Sequence, residues 1–171
     1  MIGFFSLIIL LGYVFSCTTP EKMETHVVAP NGETRICDSI GSDQIVVNIT
    51  THEVPIGTPA APIYGAQSGC TYSRYPCNIL DKLTIRVNNK LLFVPRSAFC
   101  DFVDLASLAI QKDDSNEFVL MVRGGDASES YIGRILFDHS RIINRDLSSA
   151  MTPDDLREKT IYFIPRDSLD E

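Results

Sequence analysis

A mainly β fold is predicted, an antiparallel meander forming a sandwich or barrel-like sheet of about seven to nine strands with one or two short helices. Apolar residues fall mostly in short runs of four to eight, rich in Val, Ile, Leu and Phe, which is strand length and strand composition. Asn, Asp, Gly and Ser punctuate these runs. The turns within the last part of the chain span two to seven residues, too short for the crossover that a parallel return requires.

Residues Thr25 to Ala29 and Glu33 to Cys37 flank Pro30-Asn31-Gly32, where Asn-Gly supplies the positive-φ positions of a tight hairpin turn. A second strand region is Gln44 to Thr50. The stretch Val54 to Gly69 holds Pro55, Gly57, Pro59, Pro62, Gly65 and Gly69 and reads as a long irregular loop, a kind that is often functional. Leu83 to Val94 reads as a hairpin: Leu83, Ile85 and Val87 alternate with Thr84 and Arg86, and Asn88-Asn89 makes the reversal. After Pro95 a turn of helix is expected around Ser97 to Asp101. A meander then runs through Ala106 to Gln111, Phe118 to Val122, Tyr131 to Phe137 and Arg141 to Leu147. Its turns fall at Asp113 to Asn116, Gly124 to Ser130 and Asp138 to Ser140. Near the end Thr152 reads as an N-cap with Pro153 at the first helical position, and Asp154 and Asp155 complement the helix dipole. A strand from Thr160 to Ile164 follows.

The chain has 171 residues, 44% apolar and 22% charged, with a formal net charge of −7. One domain with a packed core is implied, and intrinsic disorder is excluded. The acidic balance argues against a nucleic-acid partner. Residues 1–16 carry no charged side chain and include 12 apolar ones, so the whole −7 belongs to the 155 residues that follow. From Ile2 to Phe15 a helix would rise only about 21 Å, against a hydrocarbon core of about 30 Å. That length fits the apolar region of a secretory signal peptide over residues 1–16.

Val14-Phe15-Ser16-Cys17 resembles the lipobox of bacterial lipoproteins, with an aliphatic residue at −3, a small one at −1 and then the cysteine. The resemblance covers the leader alone; no family is recognised for the folded domain. It implies that Cys17 receives diacylglycerol and that N-acylation supplies a further chain such as palmitate. Two or more chains suffice for stable attachment. Thr18, by the same resemblance, implies sorting to the outer membrane, facing the periplasm of a Gram-negative cell. Plain secretion and an uncleaved anchor are the alternatives. Residues 17–23 would then be a lipid-attached linker and residues 24–171 a single β-rich exported domain.

Five cysteines are an odd number. With Cys17 given to lipid, Cys37, Cys70, Cys77 and Cys100 remain, and in an exported protein four cysteines read as two disulfides with three connectivities. Cys70 and Cys77 enclose a short span containing Arg74 and Pro76 that can turn back on itself, which favours Cys70–Cys77 with Cys37–Cys100. A four-thiolate zinc site is disfavoured because no C-x-x-C pair is present, and no metal ligand or cofactor is assigned.

Gly124 to Ser130 contains Asp126-Ala127-Ser128-Glu129-Ser130, the D-x-S-x-S pattern of the metal-ion-dependent adhesion site of von Willebrand A domains. That site needs a following helix, whereas a strand is expected here. A glycine-rich turn is the favoured reading, with Gly124 or Gly125 at positive φ; Asp126 and Glu129 remain candidates for a partner-binding or cation-binding loop. G-x-S-x-G, H-E-x-x-H, the P-loop and the dinucleotide fingerprint are all absent. His26, His52 and His139 read as structural or solvated, and no catalytic residue is assigned. Tyr64, Tyr72, Arg74 and Tyr75 crowd one region between Pro55 and Cys77. Tyr and Arg on a preorganised loop are favoured at binding hot spots, though packing of these tyrosines over an edge of the sheet is the favoured reading. Asn48-Ile49-Thr50 is a glycosylation sequon, meaningful only in a eukaryotic secretory route.

The function expected is that of a non-catalytic envelope lipoprotein presenting a surface to an envelope or extracellular protein, in a specific version an inhibitor or immunity protein. The alternative is an envelope hydrolase acting on cell-wall or lipid substrates.

Overall fold

A computed structural model of the chain describes residues 24–55, 57–58, 61–62, 70, 76–113 and 115–163. Twelve strands follow one another along these residues. They are β1 (Thr25–Val27), β2 (Gly32–Ile40), β3 (Asp43–Val54), β4 (Gly57–Thr58), β5 (Ala61–Pro62), β6 (Cys77–Val87), β7 (Lys90–Leu91), β8 (Leu105–Lys112), β9 (Phe118–Gly124), β10 (Tyr131–Phe137), β11 (Ile142–Ser149) and β12 (Leu156–Ile161). Two sheets pack face to face, a six-stranded one in the order β1-β8-β9-β10-β11-β12 and a four-stranded one in the order β2-β3-β6-β7. Every pairing is antiparallel. The expected sandwich is therefore what forms, with strands of only two or three residues accounting for the larger count. Helical structure among the described residues is confined to 3-10 turns at Arg96–Ala98 and Ala127–Glu129. No helix among them is long and apolar enough to cross a membrane.

The core lies between the sheets. Ile36, Ile45, Val47, Ile49, Leu83 and Ile85 from the smaller sheet meet Leu108, Ile110, Phe118, Leu120, Val122, Ile135 and Phe137 from the larger one. Alternation of buried and solvated positions in β3 and β6 marks a sheet with one wet face. By contrast β9 buries five residues in succession, Phe118 to Val122. It sits third of six, and a second cluster of Ala109, Val119, Met121 and Ile132 covers its other face. A continuous apolar run is the signature of that two-sided burial.

Four local expectations are corrected. Pro30-Asn31-Gly32 does not close a hairpin, because β1 and β2 belong to different sheets. The Val28 amide continues the ladder to β8 by donating to the Ala106 carbonyl, and the Val28 side chain enters the core. At the corner the Ala29 amide donates to Thr34 Oγ1 at 2.9 Å and the Ala29 carbonyl accepts from Thr51 Oγ1 at 2.7 Å. Side chains thus satisfy the groups that a hairpin ladder would have paired, and Gly32 supplies φ +106 for the bend.

The helix after Thr152 does not form. Residues 152–155 make a turn, and β12 already starts at Leu156. A helix this short is marginal without tertiary support, whereas the strand gains a ladder with β11 that one register shift interrupts. The stretch from Val54 to Gly69 is not wholly irregular, since β4 and β5 pair within it. Cys37 and Cys100, the fourth point, are exposed free thiols rather than a disulfide. Cys37 projects from the solvated face of β2, on the opposite side from Ile36, so it is turned away from the interior that the other sheet occupies.

The Cys70–Cys77 disulfide does form. It packs with Val103, Val54 and Ile79 at one end of the sandwich. There the buried Asn78 side chain donates to the Leu105 carbonyl at 2.9 Å and accepts from the Leu105 amide at 2.7 Å, locking β6 to the start of β8. Asn88 and Asn89 take φ +48 and +71, the paired left-handed conformations that the two-residue β6–β7 turn demands.

Candidate functional site

The sheet orders place β1 and β2 at neighbouring edges of the sandwich and β7 and β12 at the far edges. Residues two apart on an extended chain share a face, so Glu24 and His26 point together into the gap between β1 and β2. From the facing strand Asp38 enters it, on the same side as Ile36 and Ile40. His26 Nε2 lies 3.5 Å from Asp38 Oδ1, with the side chains 24% and 16% exposed. One donor atom from each of Glu24, His26 and Asp38 lies within 4.8 Å of the other two. The Nε2 atom is shielded from solvent and has no hydrogen-bond partner. Two carboxylates and an imidazole thus converge where metal ligation is chemically open to them. Nothing in the linear order marks the trio: the pairing of β1 with β8 rather than with β2 is what brings Asp38 opposite His26.

Each of the other two histidines also faces an aspartate. His139, in the β10–β11 turn, approaches Asp43 at the start of β3 at 2.9 Å, and Asn88 Nδ2 donates to the same Asp43 oxygen at 2.7 Å. The Phe118 ring meets the imidazole edge-on. This contact links the two sheets at the end opposite Asn78. Hydrogen bonds from His139 and then Asn88 hold the Asp43 carboxyl below its usual range. A lowered native pKa stabilises the fold above the ordinary carboxylate value of about 3.8 and loses that contribution as pH falls toward the native pKa. Asp43→Asn is therefore expected to flatten the acid limb of a stability profile below about pH 4; an unchanged limb would place the acid sensitivity elsewhere.

Asp138 in the same turn is also lowered. Burial pushes it up, but bonds from the Ser140 hydroxyl and the Ser140 and Arg141 amides prevail. His52 Nδ1 pairs with Asp81 Oδ2 at 2.6 Å on the solvated face of the smaller sheet. There a bulge between Thr50 and Thr51 leaves Asp81 outside the register, an irregularity that re-aims a side chain. Among the described residues no serine, threonine or cysteine donates to any of the three imidazoles, which is the contact that nucleophile activation needs.

The loop at Gly124 to Ser130 forms the expected glycine-rich turn. Gly125 takes φ +68, and Gly124 has no room for a Cβ against the Tyr131 ring. Asp126 caps the 3-10 turn by accepting from the Ala127 amide at 2.8 Å, while Glu129 is exposed. Tyr131 then begins β10 instead of a helix, so the context of an adhesion-type metal site is missing. Cys17, Tyr64, Tyr72, Arg74 and Tyr75 lie outside the described residues.

At the far edges large apolar side chains face solvent. Leu91 on β7 and Phe93 just after it are 52% and 72% exposed; Leu156 and Ile161 on β12 and Phe163 beyond it are also exposed, Phe163 at 85%. Ser97 Oγ and Tyr162 Oη approach to 3.5 Å, joining the segments that carry Phe93 and Phe163. No known protein family, curated protein or solved structure matches this chain.

Proposed function

We propose that the chain is an exported envelope lipoprotein, lipid-attached at Cys17, whose sandwich presents a protein-binding surface and performs no catalysis of its own. The observation that carries the binding reading is the exposed apolar set Leu91, Phe93, Ile161 and Phe163 along the β7 and β12 edges. Single exposed apolar residues are ordinary, but here they gather beside edge strands whose unpaired backbone can accept a further strand. The lipoprotein reading draws its support from Val14 to Cys17. The net charge of −7 supports a basic partner, as an inhibitor or immunity protein would have.

A photo-crosslinking side chain placed at Phe93 or Phe163 in cells is expected to capture an envelope protein that the same group at Glu33, on β2, does not. Equal capture at both edges, or none at Phe93 and Phe163, would remove the assignment. In parallel, Cys17→Ala is expected to leave the membrane fraction and lose fatty-acid labelling.

A further inference from the structure

We propose that Glu24, His26 and Asp38 form a binding site for a divalent transition-metal ion, zinc in the first instance, that bridges the two sheets at their β1 and β2 edges. The donor set selects the ion. One imidazole nitrogen and two carboxylate oxygens suit zinc, which takes such ligands at about 2.0–2.2 Å and accepts three protein ligands plus water. Donors at that radius around one tetrahedral ion sit roughly 3.3–3.6 Å apart. The trio already lies within 4.8 Å, about 1.2–1.5 Å beyond that spacing at most. Calcium is disfavoured, because it wants six to eight oxygens and one of the three donors here is nitrogen.

Two further features point to a cation. The solvent-shielded His26 Nε2 has no hydrogen-bond partner, an arrangement that is costly unless something occupies it, and it lies 3.5 Å from Asp38 Oδ1, close enough for one ion to bridge the two. The two carboxylates also lie close together at a partly enclosed gap, and a bound dication relieves the repulsion between like charges. The other two histidine pairs differ on both counts: His52 and His139 approach their aspartates at 2.6 and 2.9 Å, and each brings one carboxylate only.

Such an ion would clamp a strand of three residues, β1, to the other sheet. The fourth coordination position would hold water or a donor from a partner.

The test is zinc binding to the full-length chain after chelation, by equilibrium dialysis and by thermal unfolding with and without metal. One zinc per chain and a raised unfolding temperature are expected. Loss of an outer-shell partner typically weakens metal binding by about 10–100-fold, so Glu24→Gln, which removes a direct and exposed ligand, should weaken it at least about tenfold. His26→Ala should abolish it. Because Glu24 is exposed, the metal-free unfolding temperature of Glu24→Gln should match that of the parent. His52→Ala and Cys37→Ser should bind zinc as the parent does. The proposal is overturned if the parent takes up no stoichiometric zinc, if Glu24→Gln and His26→Ala bind normally, or if the Cys37 or His52 variant is the one that loses the metal.

Discussion

Replacing both carboxylates that hold Arg145, in the double variant Asp101→Ala/Glu158→Ala, is expected to cost about 3–5 kcal/mol of folding stability. Arg145→Met is expected to cost far less, about 1 kcal/mol. The asymmetry follows from burial. Arg145 is 2% exposed, whereas Asp101 and Glu158 are 49% and 48% exposed. Its guanidinium bonds to each carboxylate at 2.6 Å and sits 4.9 Å from the centre of the Phe102 ring. Removing the cation frees two carboxylates that water can solvate from their open sides. Removing the anions instead leaves a buried guanidinium with nothing to balance it, and the desolvation cost of an ion greatly exceeds the 0–1 kcal/mol of an ordinary surface pair. Urea unfolding of the two variants measures the difference. Should Arg145→Met prove the more damaging, Arg145 acts through its volume against Phe102 and not through its charge.

This cluster also shows how far the linear sequence could reach. The meander from β8 to β11 was legible because its strands alternate or run continuously apolar and its turns are short and rich in Asp, Asn and Gly. Asn88-Asn89 specified its own turn, since both residues tolerate positive φ. What the sequence did not reveal was which sheet each early strand would join. Asn-Gly at 31–32 favours a hairpin locally, but the destination of β1 is decided by β8, some eighty residues later. Nothing in the linear sequence singles out Arg145; β12 and the crossover after β7 bring Glu158 and Asp101 to it. The same holds for the trio of Glu24, His26 and Asp38, whose members share no local signature and meet only because two edge strands of different sheets lie side by side. Turn chemistry and periodicity are local properties; the sites made from charged and metal-ligating side chains depend on long-range pairing. The failed helix at Thr152 belongs to the same class, because capping residues compete there against a ladder that only the folded sheet supplies.

Phe102→Ala is expected to lower stability by about 3–5 kcal/mol, and the neighbouring Gly133 explains why this ring is hard to replace. Phe102 is 1% exposed and lies in the crossover between the sheets. Its ring stacks on Tyr131 at 5.7 Å between centroids, lies against the Arg145 guanidinium, and rests on the backbone of Gly133, where any Cβ would collide with the ring edge. Tyr131 is itself tied down, its hydroxyl donating to the Val103 carbonyl at 2.7 Å. The ring is therefore confined from several sides, and Gly133→Ala should cost about 1–3 kcal/mol as an overpacking substitution. A shorter side chain at 102 relieves that collision. The double variant Phe102→Leu/Gly133→Ala should then be more stable than the sum of its single changes implies, by about 0.5–3 kcal/mol, the coupling expected of residues in contact. Strict additivity in the double-mutant cycle would mean that the ring moves aside freely, and that the packing of Phe102 between Tyr131, Gly133 and Arg145 does not fix how the crossover seats on the larger sheet.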